Sequence, residues 1–311
     1  MRSRGRPLVS ESFRGGRLSS VSAWAGALAR KARPWGFPVI YIGWAYLFWI
    51  PLLFSDESVW SFPNILFFLA GGASPLLAGV LLTWLADGHD GLRDLGRRMI
   101  DARRIPIRWL AVIVLFWPLF DLVMAGAARA LGLTDRPLSI AWDVVTDPAT
   151  LGFMLLLSFV FPAVEEVGLR GQWLDDLQER FSPAVAALIN GAGWAIWHTP
   201  FVSFPGYYAD TSFSPQLWWW LPSIVVQTVL IVWVYNGTGR SILAVLLFHA
   251  LMNFTGEFLG LAPEIFPYML VGSVLAAVAV VAGSRMMRSD PQRHLRPMNG
   301  PGAAGSELEH A

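Results

Sequence analysis

The stretch from Leu151 to Gly171, "LGFMLLLSFVFPAVEEVGLRG", decides how the rest of the chain is read. Its first half is an apolar run of the kind that crosses a bilayer. Two adjacent carboxylates, Glu165 and Glu166, and the guanidinium of Arg170 follow directly. Ionisable groups are expensive away from water, so within a membrane span they are functional candidates by default. On a helix Arg170, four residues after Glu166, shares its face and pairs with it, whereas Glu165 points about 100° away and is left free. One carboxylate is held structurally and the other is available.

Composition places this stretch in a membrane protein. Of 311 residues 55% are hydrophobic and 14% charged, against about a quarter charged in soluble domains. The net charge of +1 gives no bulk reason to expect nucleic acid as a partner. Cysteine is absent, which removes disulfides, thiolate metal sites and cysteine nucleophiles together. Apolar stretches of about twenty residues, long enough to span, recur at approximately 36–54, 63–85, 107–132, 148–170, 184–204, 217–235, 240–259 and 264–283. The intervening charges are sorted. Arg93, Arg97, Arg98, Arg103 and Arg104, then Arg180, then Arg240, then Arg285, Arg288, Arg293 and Arg296 fall in loops on one side, together with the basic leader. Asp56, Glu57, Asp135, Asp143, Asp147, Asp210 and Glu264 fall on the other side. The positive-inside rule then expects an all-α, polytopic membrane helix bundle of eight transmembrane helices with both termini cytoplasmic. Residues 1–34 read as a basic cytoplasmic leader, partly disordered, with a short amphipathic helix at Ser22–Lys31. Residues 35–284 form the transmembrane domain with a core at 148–259, and 285–311 read as a disordered cytoplasmic tail.

Three further spans carry polar residues. In "NGAGWAIWH", Asn190, Trp194 and His198 recur at i, i+4 and i+8 on one stripe, and Gly191 and Gly193 permit close helix approach. A hairpin turning near Arg180–Pro183 sets Glu165 and His198 at similar depth, facing one another. In "FHALMNFTGE", His249, Asn253 and Glu257 recur on one face. His249 lies nine residues from Arg240, a depth suited to a shared site with Glu165; Glu257 reads better as part of a helix-to-helix polar ladder. Asp121, beside a kink at Pro118, either supports the site from behind or pairs locally within the bundle.

A glutamate with two histidines, and neither a serine motif nor a cysteine, points to general-base or metal-assisted attack by water. Amide hydrolysis fits, in a cavity open toward the cytoplasmic side. A proton-coupled carrier uses the same residue types, and an immunity factor acting by binding needs no chemistry at all, so residue types alone leave these classes open.

The three elements "EEVGLR", "WAIWH" and "HALMN", in that order, resemble the EExxxR, [FW]xxxH and HxxxN pattern of the CPBP family of intramembrane proteases. That group includes CAAX prenyl endopeptidases, bacteriocin-processing or self-immunity proteins and abortive-infection-type proteins. The resemblance implies an intramembrane endopeptidase in a multi-pass, bacterial cell membrane setting, acting on a peptide or protein substrate at the lipid bilayer. It implies that Glu165 activates water, that Glu166 and Arg170 form a structural pair, that His198 is catalytic, and that His249 and Asn253 stabilise the oxyanion. Asn190, Trp194 and Asp121 stand as supporting candidates. The cofactor stays open: Glu165, His198 and His249 are the donor types of a His₂Glu zinc set, and a metal-free glutamate mechanism needs none.

Overall fold

The computed structural model describes residues 24–209 and 213–289, and these residues are helical throughout, apart from turns and one isolated bridge between Leu138 and Leu261. The leader before residue 24 and the tail after residue 289 lie outside the described residues. A first helix, α1, occupies 24–32 within the expected amphipathic segment. It is followed by α2 (Gly36–Trp49), α3 (Asn64–Gly72) and α4 (Ser74–Ile100). Then come α5 (Ile107–Ala130), the long composite helix α6 (Pro148–Gln178) and α7 (Pro183–His198). After them come α8 (Leu217–Gly237), α9 (Ile242–Leu259) and α10 (Phe266–Gly283), and single helical turns lie at Asp143–Thr146 and Arg285–Arg288.

Among the described residues, seven helical segments are long and apolar enough to cross a membrane: Gly36–Phe54, Asn64–Ile100, Ile107–Ala130, Pro148–Gln178, Leu217–Gly237, Ile242–Leu259 and Pro263–Gly283. The protein is thus an integral, multi-pass membrane protein. The expected span at 184–204 differs from the rest. Its α-helix, α7, has 16 residues and passes into a 3-10 segment, Thr199–Ser203. Sixteen residues at 1.5 Å each reach about 24 Å, short of the ~30 Å hydrocarbon core. Pro200 explains the change, because it lacks an N–H and its ring crowds the carbonyl four residues back.

Two polar segments carry buried side chains. "DGLRDLGRRMI" continues α4 as helix after a break at Gly88, whose φ of 65° turns the chain in a way that favours glycine. Its Arg98 is 3% exposed. The tail of α6, "GQWLDDLQ", is polar in composition, yet every residue from Gly171 to Gln178 is buried. Both have one cause, a buried ion-pair network. Arg98 donates to the Gly171 carbonyl at 2.6 Å and to Tyr235 Oη at 2.8 Å, and Tyr235 donates to Asp175 at 2.7 Å. Arg240 also pairs with Asp175, and Arg98 with Asp94 at 2.9 Å. A single sequence shows these residues as loop charges because, Asp94 aside, their partners lie 60 or more positions away.

The core is unusually aromatic: Trp49, Trp117, Trp173, Tyr41 and Tyr235 are all essentially inaccessible. Within it α6 is interrupted by two π-helical segments, Leu156–Val160 and Leu169–Trp173, which bracket Glu165 and Glu166. Pro162 cannot donate to the Ser158 carbonyl, which accounts for the first; such bulges commonly mark functional sites. Backbones approach closely beside the second. A Cβ on Gly168 would run into the Pro75 carbonyl of α4, and one on Gly191 would come within 2.9 Å of Val225 of α8. Gly168→Val is therefore expected to lower stability by about 1–3 kcal/mol through overpacking, read as thermal unfolding in detergent. Gly152→Ala on the same helix, where a Cβ meets open space, is the control and should change little.

Candidate active site

The two carboxylates of α6 have separate environments. Glu166 is fully buried, and its Oε1 accepts from Arg170 at 2.9 Å and is 2.8 Å from His249 Nδ1. Arg170, equally buried, also donates to Thr228 Oγ1 at 3.4 Å, and its guanidinium lies 4.5 Å from the centre of the Trp194 ring. A cation held over an indole face is stabilised by the ring quadrupole. Glu165, on the neighbouring face, is 8% exposed and accepts from Trp194 Nε1 at 2.7 Å. The pair spacing thus separates a locked carboxylate from one that faces open space.

That space is a cavity of about 480 Å³, within the usual range for ligand pockets. Glu165, Trp194, His198, His249, Asn253, Asp121 and Glu257 all line it. Glu166, Arg170 and Asn190 do not line it; they stand behind the wall and hold it. Asn190 donates to the Leu169 carbonyl at 2.9 Å, pinning α7 to the second π segment of α6. Asp121 accepts from Thr255 Oγ1 at 2.9 Å and so ties α5 to α9 at the cavity edge.

The register between α6 and α7 departs from the expected one. Glu165 sits opposite Trp194, and Leu169 opposite Asn190, so His198 lies one turn further along α7 rather than level with Glu165. The π segment between Glu165 and the hairpin takes up an extra residue on α6, which shifts the pairing in this direction. The His198 ring donates from Nδ1 to the Trp194 carbonyl at 3.0 Å. A carbonyl can only accept, so Nδ1 carries the proton and Nε2 is the free acceptor. Aromatic rings enclose it: Trp197, Phe201 and Trp220 have centroids 4.8, 4.9 and 5.4 Å away.

Trp194 does more than a supporting residue. It donates to Glu165, caps Arg170 and sets its ring edge-on to His249 at 5.0 Å. Thr228, Tyr207 and Tyr208 were missed altogether. Thr228 bonds Arg170 from 58 positions away, and the tyrosines reach the cavity from a loop with no helical periodicity. The zinc set left open by residue type is not assembled: among the described residues no three His, Asp or Glu side chains are grouped to hold a metal ion. The register shift that moves His198 a turn away from Glu165 is the reason.

The cavity lies on an unexpected side. On α6 its lining runs from Met154 to Glu165, the first half of the helix. On α7 it begins at Trp194, on α8 it ends at Gln227, and on α9 it runs from His249 to Glu257. These are the halves remote from the basic loops, so the cavity does not open toward the face on which it was expected.

The same central region decides the comparison with known proteins. Residues 147–255 match the family model described as type II CAAX prenyl endopeptidase, Rce1-like. The resemblance drawn from the three motifs is borne out. The chain is also 27% identical, over 236 residues, to the CAAX prenyl protease 2 of Methanococcus maripaludis; the match covers 73% of this chain and 83% of that protein. Together these matches support a CAAX-type peptidase. The matched segment contains Glu165, Glu166, Arg170, His198, His249 and Asn253 and stops just short of Glu257.

Proposed function

We propose that the protein is an intramembrane endopeptidase in which Glu165 and His198 activate water for hydrolysis of a peptide bond. The observation that carries this reading is the partition of the adjacent carboxylates: Glu166 is consumed by Arg170 and His249, while Glu165 faces the cavity with a single donor on one oxygen. Glu165 takes a proton from water as the hydroxide equivalent attacks the scissile carbonyl, and returns it to the departing amine. The free Nε2 of His198 accepts from the same water. Asn253 faces the developing oxyanion, where a preorganised donor contributes roughly 2.7–4 kcal/mol, and His249, its Nδ1–H held by Glu166, adds a second donor when Nε2 also carries a proton. The architecture is read as eight crossings, α7 with its 3-10 extension being the fifth, with both termini cytoplasmic; the clustering of arginines at one end of the bundle supports it.

Hydrolysis of a quenched fluorogenic peptide library by purified protein in detergent tests the assignment. Cleavage is expected, and it is expected to persist in a strong chelator because no metal set is assembled. Proton-gradient-dependent transport without any cleaved product would favour a carrier and sink the assignment. Loss of cleavage in chelator alone would overturn the metal-free route while keeping the peptidase.

A further inference from the structure

The two ends of the bundle are chemically distinct, and hydrogen bonds fix which loops share each end. At one end Arg30 donates to the Ala86 carbonyl at 2.8 Å, Arg180 to the Arg33 carbonyl at 2.6 Å and Arg104 to the Gly239 carbonyl at 3.1 Å. With Arg93, Arg97, Arg285 and Arg288, these make one strongly basic face. At the other end Val59 bonds the Pro205 carbonyl at 2.8 Å, Ser139 the Gly260 carbonyl at 3.0 Å and Ala262 the Pro137 carbonyl at 3.1 Å. The described loops there carry Asp56, Glu57, Asp135, Asp143, Asp147 and Glu264 with the lone basic side chain of Arg136. Arginine bias of this kind puts the first end in the cytoplasm.

The cavity belongs to the second end. Between Glu165 and the basic face the path is filled: Glu166, Leu169, Arg170, Trp173 and Leu174 are each at most 1% exposed. Below them lies the Arg98, Asp175, Tyr235 and Arg240 network, a set of charges whose separation would leave several buried and unpaired. In the opposite direction the cavity continues past His198 to Trp60, Tyr207, Tyr208 and Phe213, in loops of the acidic end. Its wall also reaches the outside of the bundle between α3 and α6, where the lining residues Leu69 and Val160 are 45% and 47% exposed.

We infer that the site takes its substrate from the extracytoplasmic half of the membrane. The substrate class is a peptide segment of an exported or membrane-anchored chain, presented at or just within the outer leaflet, rather than a tail projecting from the cytoplasmic surface. That it is cut rests on the peptidase reading above; the side from which it enters does not.

The absence of native cysteine makes the side directly measurable. Single-cysteine variants are labelled with a small membrane-impermeant thiol reagent, in intact cells and after permeabilisation. Asp56→Cys marks the acidic end, Arg103→Cys marks the basic end, and Met252→Cys marks the cavity wall, with Gln227→Cys as a second wall position in case the first variant fails to fold. Asp56→Cys and the wall cysteines are expected to label fully in intact cells, and Arg103→Cys only after permeabilisation. The reverse pattern, or wall cysteines that label only once the cytoplasmic side is opened, overturns the inference. An impermeant library peptide should then be cleaved by right-side-out and not by inside-out vesicles; cleavage confined to inside-out vesicles also overturns it. Failure of cleavage in both, with the labelling pattern as expected, defeats the peptidase reading and leaves the side of the cavity assigned.

Discussion

Glu165→Gln abolishes measurable hydrolysis, an expected loss on the order of 10²–10⁴-fold, the usual contribution of a positioned acid–base group. The substitution is chosen for what it keeps. Glutamine retains an acceptor oxygen for Trp194 Nε1, which meets Glu165 at 2.7 Å, and it retains the shape of the wall. It cannot take a proton from water. Stability should stay within about 0.5 kcal/mol of wild type, as for substitutions that break no buried network, because the Arg170 and His249 contacts run through Glu166 instead. A variant that unfolds with the wild type yet does not cleave, while binding peptide equally well, assigns the proton to Glu165. Full activity would remove Glu165 from the chemistry and with it the role drawn from the EExxxR element.

How much of this was legible beforehand depended on distance along the chain. The Glu166–Arg170 pair follows from i, i+4 geometry alone, and the small residues Gly191 and Gly193 announce a close packing partner, which proves to be α8 at Gly191 and the Trp173 ring at Gly193. The three polar elements come together because each lies on one helical stripe. Partners 58 to 83 positions apart carry no local signal: Thr228 on Arg170, and His249 on Glu166. The π segments were equally silent. An apolar run such as "LLSFV" is compatible with any helical ladder, and Pro162 signals a disturbance without saying which. The bulge at Leu169–Trp173 shifts α6 in the direction observed, and the register of α7, a turn from the expected one, separates His198 from Glu165 and leaves the candidate zinc set unassembled. The cavity's side was misread for a related reason. The polar tail of α6 looks solvated by composition, and only its buried pairing with Arg98 and Arg240 reveals that the basic end is closed.

The largest expected effect on stability is that of Glu166→Ala, about 3–5 kcal/mol, since removal of one partner leaves a buried charge uncompensated. Here the loss falls on two groups at once. Arg170, at 0% exposure, keeps only the long Thr228 contact and the indole face of Trp194, and His249, at 3% exposure, loses the acceptor that orients its ring. The companion variant Glu166→Leu/Arg170→Met separates charge burial from packing. Replacing a buried pair by apolar side chains of similar volume is often neutral, so the double variant should recover most of the loss in a chemical unfolding series in detergent. It should not recover cleavage, because His249 still lacks its anchor. A double variant as unstable as Glu166→Ala would mean that the carboxylate holds the bundle mainly through His249 and α9; equal recovery of stability and activity would mean that the ring needs no anchor. The comparison of the two variants thus measures how far the structural carboxylate of "EE" serves the fold and how far it serves the site.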